Sequence, residues 1–113
     1  MNNHDIDKQL EFLRAISAVQ VKLFRPGIES EFPDPEQKKR FKKHRLNWSL
    51  FVETVEIDIS SVLVNELEAN EVGLLSGIAE INQQIQEIDD TVGFLKLLGE
   101  TLKIIDRVVQ LLI

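Results

Sequence analysis

The stretch LLSGIAEINQQIQEIDDTVGFLKLLGETLKIIDRVVQLLI, residues 74–113, decides the fold. Its apolar residues recur at gaps of three and four, which is typical of an amphipathic helix, and over 78–95 they form the narrow seam of a coiled coil. A helix this long cannot bury its stripe alone, so we expect the rest of the chain or a second copy to cover it. The stripe comprises Ile78, Ile81, Ile85, Ile88, Val92, Leu95, Leu98, Leu102, Ile105, Val109 and Leu112.

The apolar face widens after residue 90, where only a thin polar ribbon remains, running from Lys96 to Gln110. A small protein can hardly cover so wide a face at its own terminus, so we expect contact with a second subunit, with a dimer as the favoured form. The expected interface residues are Leu95, Leu98, Leu102, Ile105, Val109 and Leu112.

Two further helices are expected upstream. The first covers about 5–25 and ends at the breaker Pro26-Gly27. The second covers about 35–70 and begins at Asp34-Pro35-Glu36-Gln37, which offers an N-cap aspartate and a proline at the first helical position. Residues 55–60 alternate apolar and polar as a strand would, but no partner strand exists, so the pattern favours helix.

The third helix has several points where it can break. Residues 70–77 are the expected turn before it, with Ser76 as its cap. Residues 89–91 could cap a restart, and Gly93 is a possible kink. Gly99 lies on the apolar seam, where the lack of a side chain would allow close helix approach.

We therefore predict one all-α domain over 1–113, an up-down bundle of three long helices with coiled-coil-like packing, completed by oligomerisation. The second and third helices are open to a break. The predicted core is Leu10, Leu13, Ile16, Trp48, Phe51, Val55, Ile59, Val62, Ile81, Ile85, Ile88, Leu95 and Leu102.

Composition excludes several kinds of chemistry. The chain has no cysteine, which removes disulfides, thiolate metal sites and cysteine nucleophiles. His4 and His44 have no ligand partner at a typical spacing, so we expect neither metal nor cofactor. No signal-like start and no long uncharged apolar run is present, and we expect a cytoplasmic protein.

Charge is distributed unevenly within the net value of −6. Residues 46–90 contain ten acids and no lysine or arginine, whereas residues 34–45 carry six basic residues against two acids. The basic segment could bind phosphate or an anionic membrane, although on a helix its charges spread around the rod. We expect a solvated or subunit-paired face, and neither nucleic acid nor membrane as a partner. The segment comprises Lys38, Lys39, Arg40, Lys42, Lys43 and Arg45.

Paired acids give the one indication of enzyme chemistry. Residues 53–57 (ETVEI) and 87–95 (EIDDTVGFL) each place two acids one helical turn apart, and carboxylates are Mg²⁺ ligands. The second stretch resembles the E-L-x-D-V-L-x-Y-L segment of the all-α MazG-like nucleoside triphosphate pyrophosphohydrolases, and the first is similar to their E-x-x-E-L. That resemblance implies Mg²⁺ held by Glu53, Glu56, Glu87 and Asp90. The family usually doubles the first glutamate, whereas Val52 stands here.

The function we expect from the sequence is a non-catalytic helical module for homo-oligomerisation or protein binding, with no cofactor. The first alternative is the Mg²⁺-dependent hydrolase. The second is peripheral binding of an anionic membrane or phosphate through 38–45.

Overall fold

The structure, a computed structural model, describes the backbone of residues 3–57 and 61–110 and the side chains of residues 6–57 and 61–108. All regular elements in these ranges are helical. A short 3-10 turn, Ile28–Glu31, lies between the first two helices. The five α-helices are α1 (Asn3–Leu23), α2 (Pro35–Ile57), α3 (Ser61–Ala69), α4 (Glu71–Gln84) and α5 (Thr91–Gln110).

Helices α1 and α2 run antiparallel, as two buried hydrogen bonds show. Near the start of α1, the Gln9 side chain donates to the Val55 carbonyl, close to the end of α2, at 2.8 Å. Seven residues further along α1, the Trp48 indole donates to the Ile16 carbonyl at 2.9 Å. Trp48 is fully buried, which confirms its prediction as a core residue.

Helix α4 runs parallel to α1 on another side. Lys8 forms an ion pair with Glu71 at 2.7 Å at one end, and Lys22 donates to Asn82 at 2.8 Å at the other. The Arg25 guanidinium, just beyond α1, donates to the Ile85 carbonyl beyond α4. The two helices therefore run in the same direction, with α4 alongside the later part of α1.

Helix α5 closes the ring between α2 and α4. It is parallel to α2, since the Thr91 hydroxyl at its start contacts Gln37 at the start of α2 at 3.0 Å. It is antiparallel to α4, because Gly77 in the middle of α4 faces Thr101 and Gly73 faces Ile104. Each long helix thus has two long neighbours, and α3 lies in the connection from α2 to α4, against α1 and α5.

This arrangement is a four-helix up-down bundle with one short extra helix, 47 × 25 × 22 Å in extent. The all-α prediction is confirmed, but the count of three long helices is wrong. The third predicted helix divides into α4 and α5 at residues 85–90, which lets α5 fold back along α4. Coiled-coil packing stays a prediction.

The helix starts predicted from the sequence were only partly correct. Asp34 caps α2 as predicted, since its carboxylate accepts from the Glu36 amide at 2.8 Å. Asp90 caps α5 by accepting from the Gly93 amide at 2.9 Å, which confirms the predicted restart. The predicted turn at 70–77 is confirmed only at Asn70, between α3 and α4; its extent and its Ser76 cap are wrong, because α4 begins at Glu71 and includes Ser76.

Most of the predicted core is buried, and the exceptions are informative. Leu10 and Val62 are 42% and 52% exposed, so their placement in the core is wrong. Leu13 is partly buried against the core. Val55 to Ile57 belong to α2, while residues 58–60, with Ile59 and the rest of the strand-like alternation, lie outside the described residues.

The end of the bundle where α2 and α5 begin is filled by aromatic rings. The Phe32 ring stacks on Phe41 with centroids 4.6 Å apart and lies 6.3 Å from Phe94. All three are fully buried, and so is Ile28 of the 3-10 turn. Stacked aromatic rings contribute more stability than their buried area alone would give, so this aromatic cluster holds the loop before α2 in place. No helix in the described part of the chain has the length and apolarity needed to cross a bilayer.

Candidate interaction surface

Four of the predicted interface residues lie inside the chain's own core. Leu95, Leu98, Leu102 and Ile105 of α5 are at most 4% exposed. Because α5 packs between α2 and α4, it needs an apolar face wide enough for two neighbours. A charge at Leu102 or Ile105 would therefore test folding rather than association. Val109 and Leu112, the other two residues of the predicted interface, are outside the described side chains.

Exposed apolar side chains lie instead on the outer sides of the helices, and three of them are on α2, on the side facing away from the core. Leu46, Leu50 and Ile57 are 59%, 52% and 73% exposed. They follow one another at gaps of four and seven, which places them on one line along the helix. The line continues through charged residues at the same spacing. We call this line the outer ridge of α2; it comprises Lys39, Lys43, Leu46, Leu50, Glu53 and Ile57.

The outer ridge has its position because the opposite side of α2 is fixed in the core. Phe41, Trp48 and Val55 recur every seven residues and are at most 1% exposed. Leu46 and Leu50 each lie about 200° around the helix from Trp48, at about 100° per residue. Anchoring Trp48 inward therefore directs both leucines outward.

Helix α1 adds apolar side chains on the flank nearest to α2. Val21 and Phe24 are 73% and 52% exposed, and Gln20 between them and the core reaches Ser49 of α2. The Arg45 guanidinium covers the Phe24 ring at 4.6 Å. Among the described side chains, seven of the eleven large exposed apolar residues lie on these two helices or directly after α1: Ile6, Leu10, Val21, Phe24, Leu46, Leu50 and Ile57.

Charge reverses along the outer ridge. Its first half carries Lys39 and Lys43, and its second half carries Glu53, with Glu56 beside it. All four are exposed. The apolar pair Leu46 and Leu50 lies between the two charge blocks, so the ridge is basic, apolar and acidic in turn and ends on the apolar Ile57.

The remaining basic residues of α2 divide between the two flanks. Arg45 donates to Glu29 at 2.7 Å, and Lys42 lies 3.9 Å from the same carboxylate. The hydrogen bond from Arg45, assisted by the nearby Lys42, holds the pKa of Glu29 below its ordinary value. Lys38 lines a depression with Arg25 and Arg45. The prediction that the basic charges spread around the rod is confirmed.

On the other flank, a groove of about 340 Å³ runs between α2 and α5. Arg40 from α2 meets Lys96 and Lys103 from α5 there, with Glu100 between the two lysines. His44 is half-buried above Gly99. Burial lowers the pKa of His44, and the charges of Arg40 and Lys43 lower it further, so the imidazole is neutral at pH 7.

The four acids of the hydrolase alternative do not come together. Among the described residues, no three acidic or histidine side chains form a group that could hold a metal ion. The contact between Gln37 and Thr91 places the neighbouring Asp90 near the start of α2. The Asp90 carboxylate caps α5. Glu53 is sixteen residues further along α2, about 24 Å at about 1.5 Å per residue. The structure therefore does not bring Glu53 and Asp90 together in one Mg²⁺ ligand set, and Mg²⁺ binding stays untested.

The outer ridge does not stand out in the sequence, because the second helix is rich in apolar residues and those of its buried side, such as Trp48 and Val55, dominate the pattern. The signal that could have found it is the alternation of gaps four and three from Lys39 to Ile57, which forms a second seam opposite Trp48. Comparison of the chain with protein-family models, with characterised proteins and with solved structures gives no match.

Proposed function

We propose that this chain is a non-catalytic helical module that self-associates through the outer surface of α1 and α2. The observation that carries the proposal is the outer ridge, where Leu46 and Leu50 remain more than half exposed although the chain has a filled core of its own. Association through this surface replaces the interface expected on α5. Since the bundle core is already closed, the fold does not depend on the partner.

Burial of these side chains supplies the driving force. Fully burying a leucine is worth about 1.5–3 kcal/mol, and roughly half of that remains for a side chain half exposed in the monomer. A symmetric contact counts each residue twice, so Leu46 and Leu50 contribute four side chains. Isolated exposed leucines are common on protein surfaces, but Leu46 and Leu50 lie next to each other on one line between charges of opposite sign, which favours docking of a partner there.

The solution mass tests the proposal. For the full chain of 13.0 kDa, light scattering at micromolar concentration should give about twice this mass. The double variant Leu46→Glu/Leu50→Glu should be monomeric with an unchanged helical circular dichroism spectrum, because both side chains lie outside the core. Val72→Glu is the matched control, since Val72 is 86% exposed on α4 and away from the ridge.

A wild-type chain that stays monomeric at high micromolar concentration would overturn the proposal. So would a double variant that keeps the wild-type oligomer. If Val72→Glu alone dissociates the oligomer, the interface lies on α4 and the assignment to α1 and α2 is wrong.

A second candidate is binding of an anionic phosphate group in the groove between α2 and α5. Convergence of Arg40, Lys96 and Lys103 from two helices favours it, because such a cluster attracts phosphate at low ionic strength. Binding of inorganic phosphate and of anionic lipid vesicles, compared by titration, should be lost in Lys96→Glu/Lys103→Glu. Absence of binding at low salt to either probe would exclude this candidate.

A further inference from the structure

The outer ridge of α2 is symmetric about position 48 when it is read from both ends. The gaps along it are four, three, four, three and four, which are the same in either direction. Reversing the helix therefore exchanges Leu46 with Leu50, Lys43 with Glu53 and Lys39 with Ile57. Alternating gaps of four and three are the spacing of seam positions in coiled coils, and three of the six positions here, Leu46, Leu50 and Ile57, are apolar.

We propose that two copies of this chain pair through antiparallel α2 helices, with a twofold axis passing beside Trp48 on the outer side. The proposal rests on the self-association proposed above and specifies its geometry. Leu46 of each copy then packs against Leu50 of the other at the centre. Lys43 of each copy meets Glu53 of the other, one layer further out on both sides.

Charge complementarity indicates that the partner of the outer ridge is a second copy of this chain. The twofold axis places Lys43 of each ridge on Glu53 of the other, so one sequence makes two such pairs, while Lys39 at the end of each ridge faces Ile57 of the other. On the flank towards α1, Lys42 of each copy approaches Glu56 of the other by the same symmetry. The surface is thus complementary to itself without any change of conformation.

The parallel arrangement is disfavoured by the same charges. It would place Lys43 against Lys43 and Glu53 against Glu53, and like charges in facing positions are repulsive. Antiparallel α2 helices also bring the positive end of each helix dipole to the negative end of the other. The sequence therefore specifies direction as well as contact.

The contact has the dimensions of a coiled-coil segment. From Lys39 to Ile57 the ridge extends about 27 Å, at about 1.5 Å per residue. Helix α2 occupies a corner of the bundle between α1 and α5, so its outward side is free to approach a second helix at about 8–10 Å. Phe24, directly after α1, extends the apolar margin on one flank, where the Arg45 guanidinium of α2 covers its ring.

Disulfide cross-linking tests the geometry, because the chain has no cysteine of its own. Leu46→Cys and Leu50→Cys are made as separate proteins, one with a tag that changes its mass. A disulfide needs Cα atoms within about 7 Å, which facing layers of the seam allow. The two copies of position 46, in contrast, do not face each other in the antiparallel pair. They are offset by four residues, about 6 Å along the helix axis, in addition to the distance between the two helices.

When the two variants are mixed, the disulfide-linked heterodimer has a mass between those of the two homodimers. We expect it to form at least fivefold faster than the covalent homodimer of either variant alone. Light scattering of the reduced variants first verifies that each remains a dimer. Equal or faster cross-linking of Leu46→Cys with itself would overturn the antiparallel geometry. A dimeric wild-type protein whose variants give no cross-link would also overturn it while self-association stands, whereas a monomeric wild-type protein would overturn both proposals.

Discussion

Gly77 of α4 lies directly against Thr101 of α5. A Cβ atom at Gly77 would come within 2.5 Å of the Thr101 hydroxyl oxygen and 3.1 Å of its methyl carbon. Thr101 has little freedom to move, because it is buried and its hydroxyl donates to the Leu97 carbonyl at 2.9 Å. The closeness of α4 and α5 therefore depends on a glycine.

Gly77→Ala should destabilise the fold by about 1–2 kcal/mol, since overpacking costs about 1–3 kcal/mol and helix propensity returns at most about 1 kcal/mol. Gly73→Ala is the matched control, because its Cβ would meet only the flexible tip of Ile104, at 3.3 Å. Urea unfolding followed by circular dichroism measures both. Equal stability of the two variants would mean that α4 and α5 are not in close contact at Gly77.

Trp48→Phe should lower the free energy of unfolding by about 1–3 kcal/mol. The change removes the hydrogen bond to the Ile16 carbonyl and leaves a cavity where α1 and α2 meet. Urea unfolding followed by circular dichroism is the measurement, since the substitution removes the chain's single tryptophan and its fluorescence. A loss below about 0.5 kcal/mol would contradict the buried placement of the indole.

Asp90→Ala should cost about 1 kcal/mol by removing the cap of α5, whereas Asp89→Ala should have little effect. The two residues are adjacent, exposed acids, but only Asp90 accepts from the Gly93 amide in the described structure. Thermal unfolding distinguishes them. Equal losses in both variants would indicate a general charge effect rather than a cap.

The His44 environment predicts a pH dependence of stability. The pKa of His44 is lower in the folded chain than its ordinary value of 6.5, because of burial and then of Arg40 and Lys43; Lys96, Glu100 and Lys103 face it from α5. As pH falls below 6.5, the unfolded chain takes up the proton first, so folding stability decreases. Below the folded pKa no further loss from this group occurs.

His44→Gln removes this group while other titrations remain. The stability of wild type relative to His44→Gln should therefore decrease between pH 7 and pH 5, measured by urea unfolding at each pH. A relative stability that stays constant or rises over this range would contradict the lowered pKa of His44.

Local signals in the sequence predicted several elements of the fold correctly. Asp34 and Asp90 both begin helices, since a carboxylate next to free backbone amides acts without help from distant residues. Trp48 could be placed in the core because its size leaves few other positions in a small domain. The two caps depend only on neighbours within a few residues.

Features that depend on which helices are neighbours could not be read in the same way. Gly73 and Gly77 suggested a turn, but they serve the packing of α4 against α5. The wide apolar face of α5 suggested a subunit contact, but a helix with two neighbours in a ring needs such a face. A one-dimensional pattern gives the width of an apolar face and not its partner.

Reversal of the charges on α2 tests the central claim most directly. Sedimentation equilibrium would measure the dimer dissociation constant of wild type, Lys43→Glu, Glu53→Lys and the double variant. We expect each single variant to weaken the dimer about tenfold, since each places like charges together twice and exposed pairs are worth about 0.2–1 kcal/mol each. The double variant should recover most of the wild-type affinity, because the two lysine–glutamate pairs re-form with exchanged positions. A double variant as weak as the sum of the two single changes, or weaker, would contradict the pairing of α2 with α2.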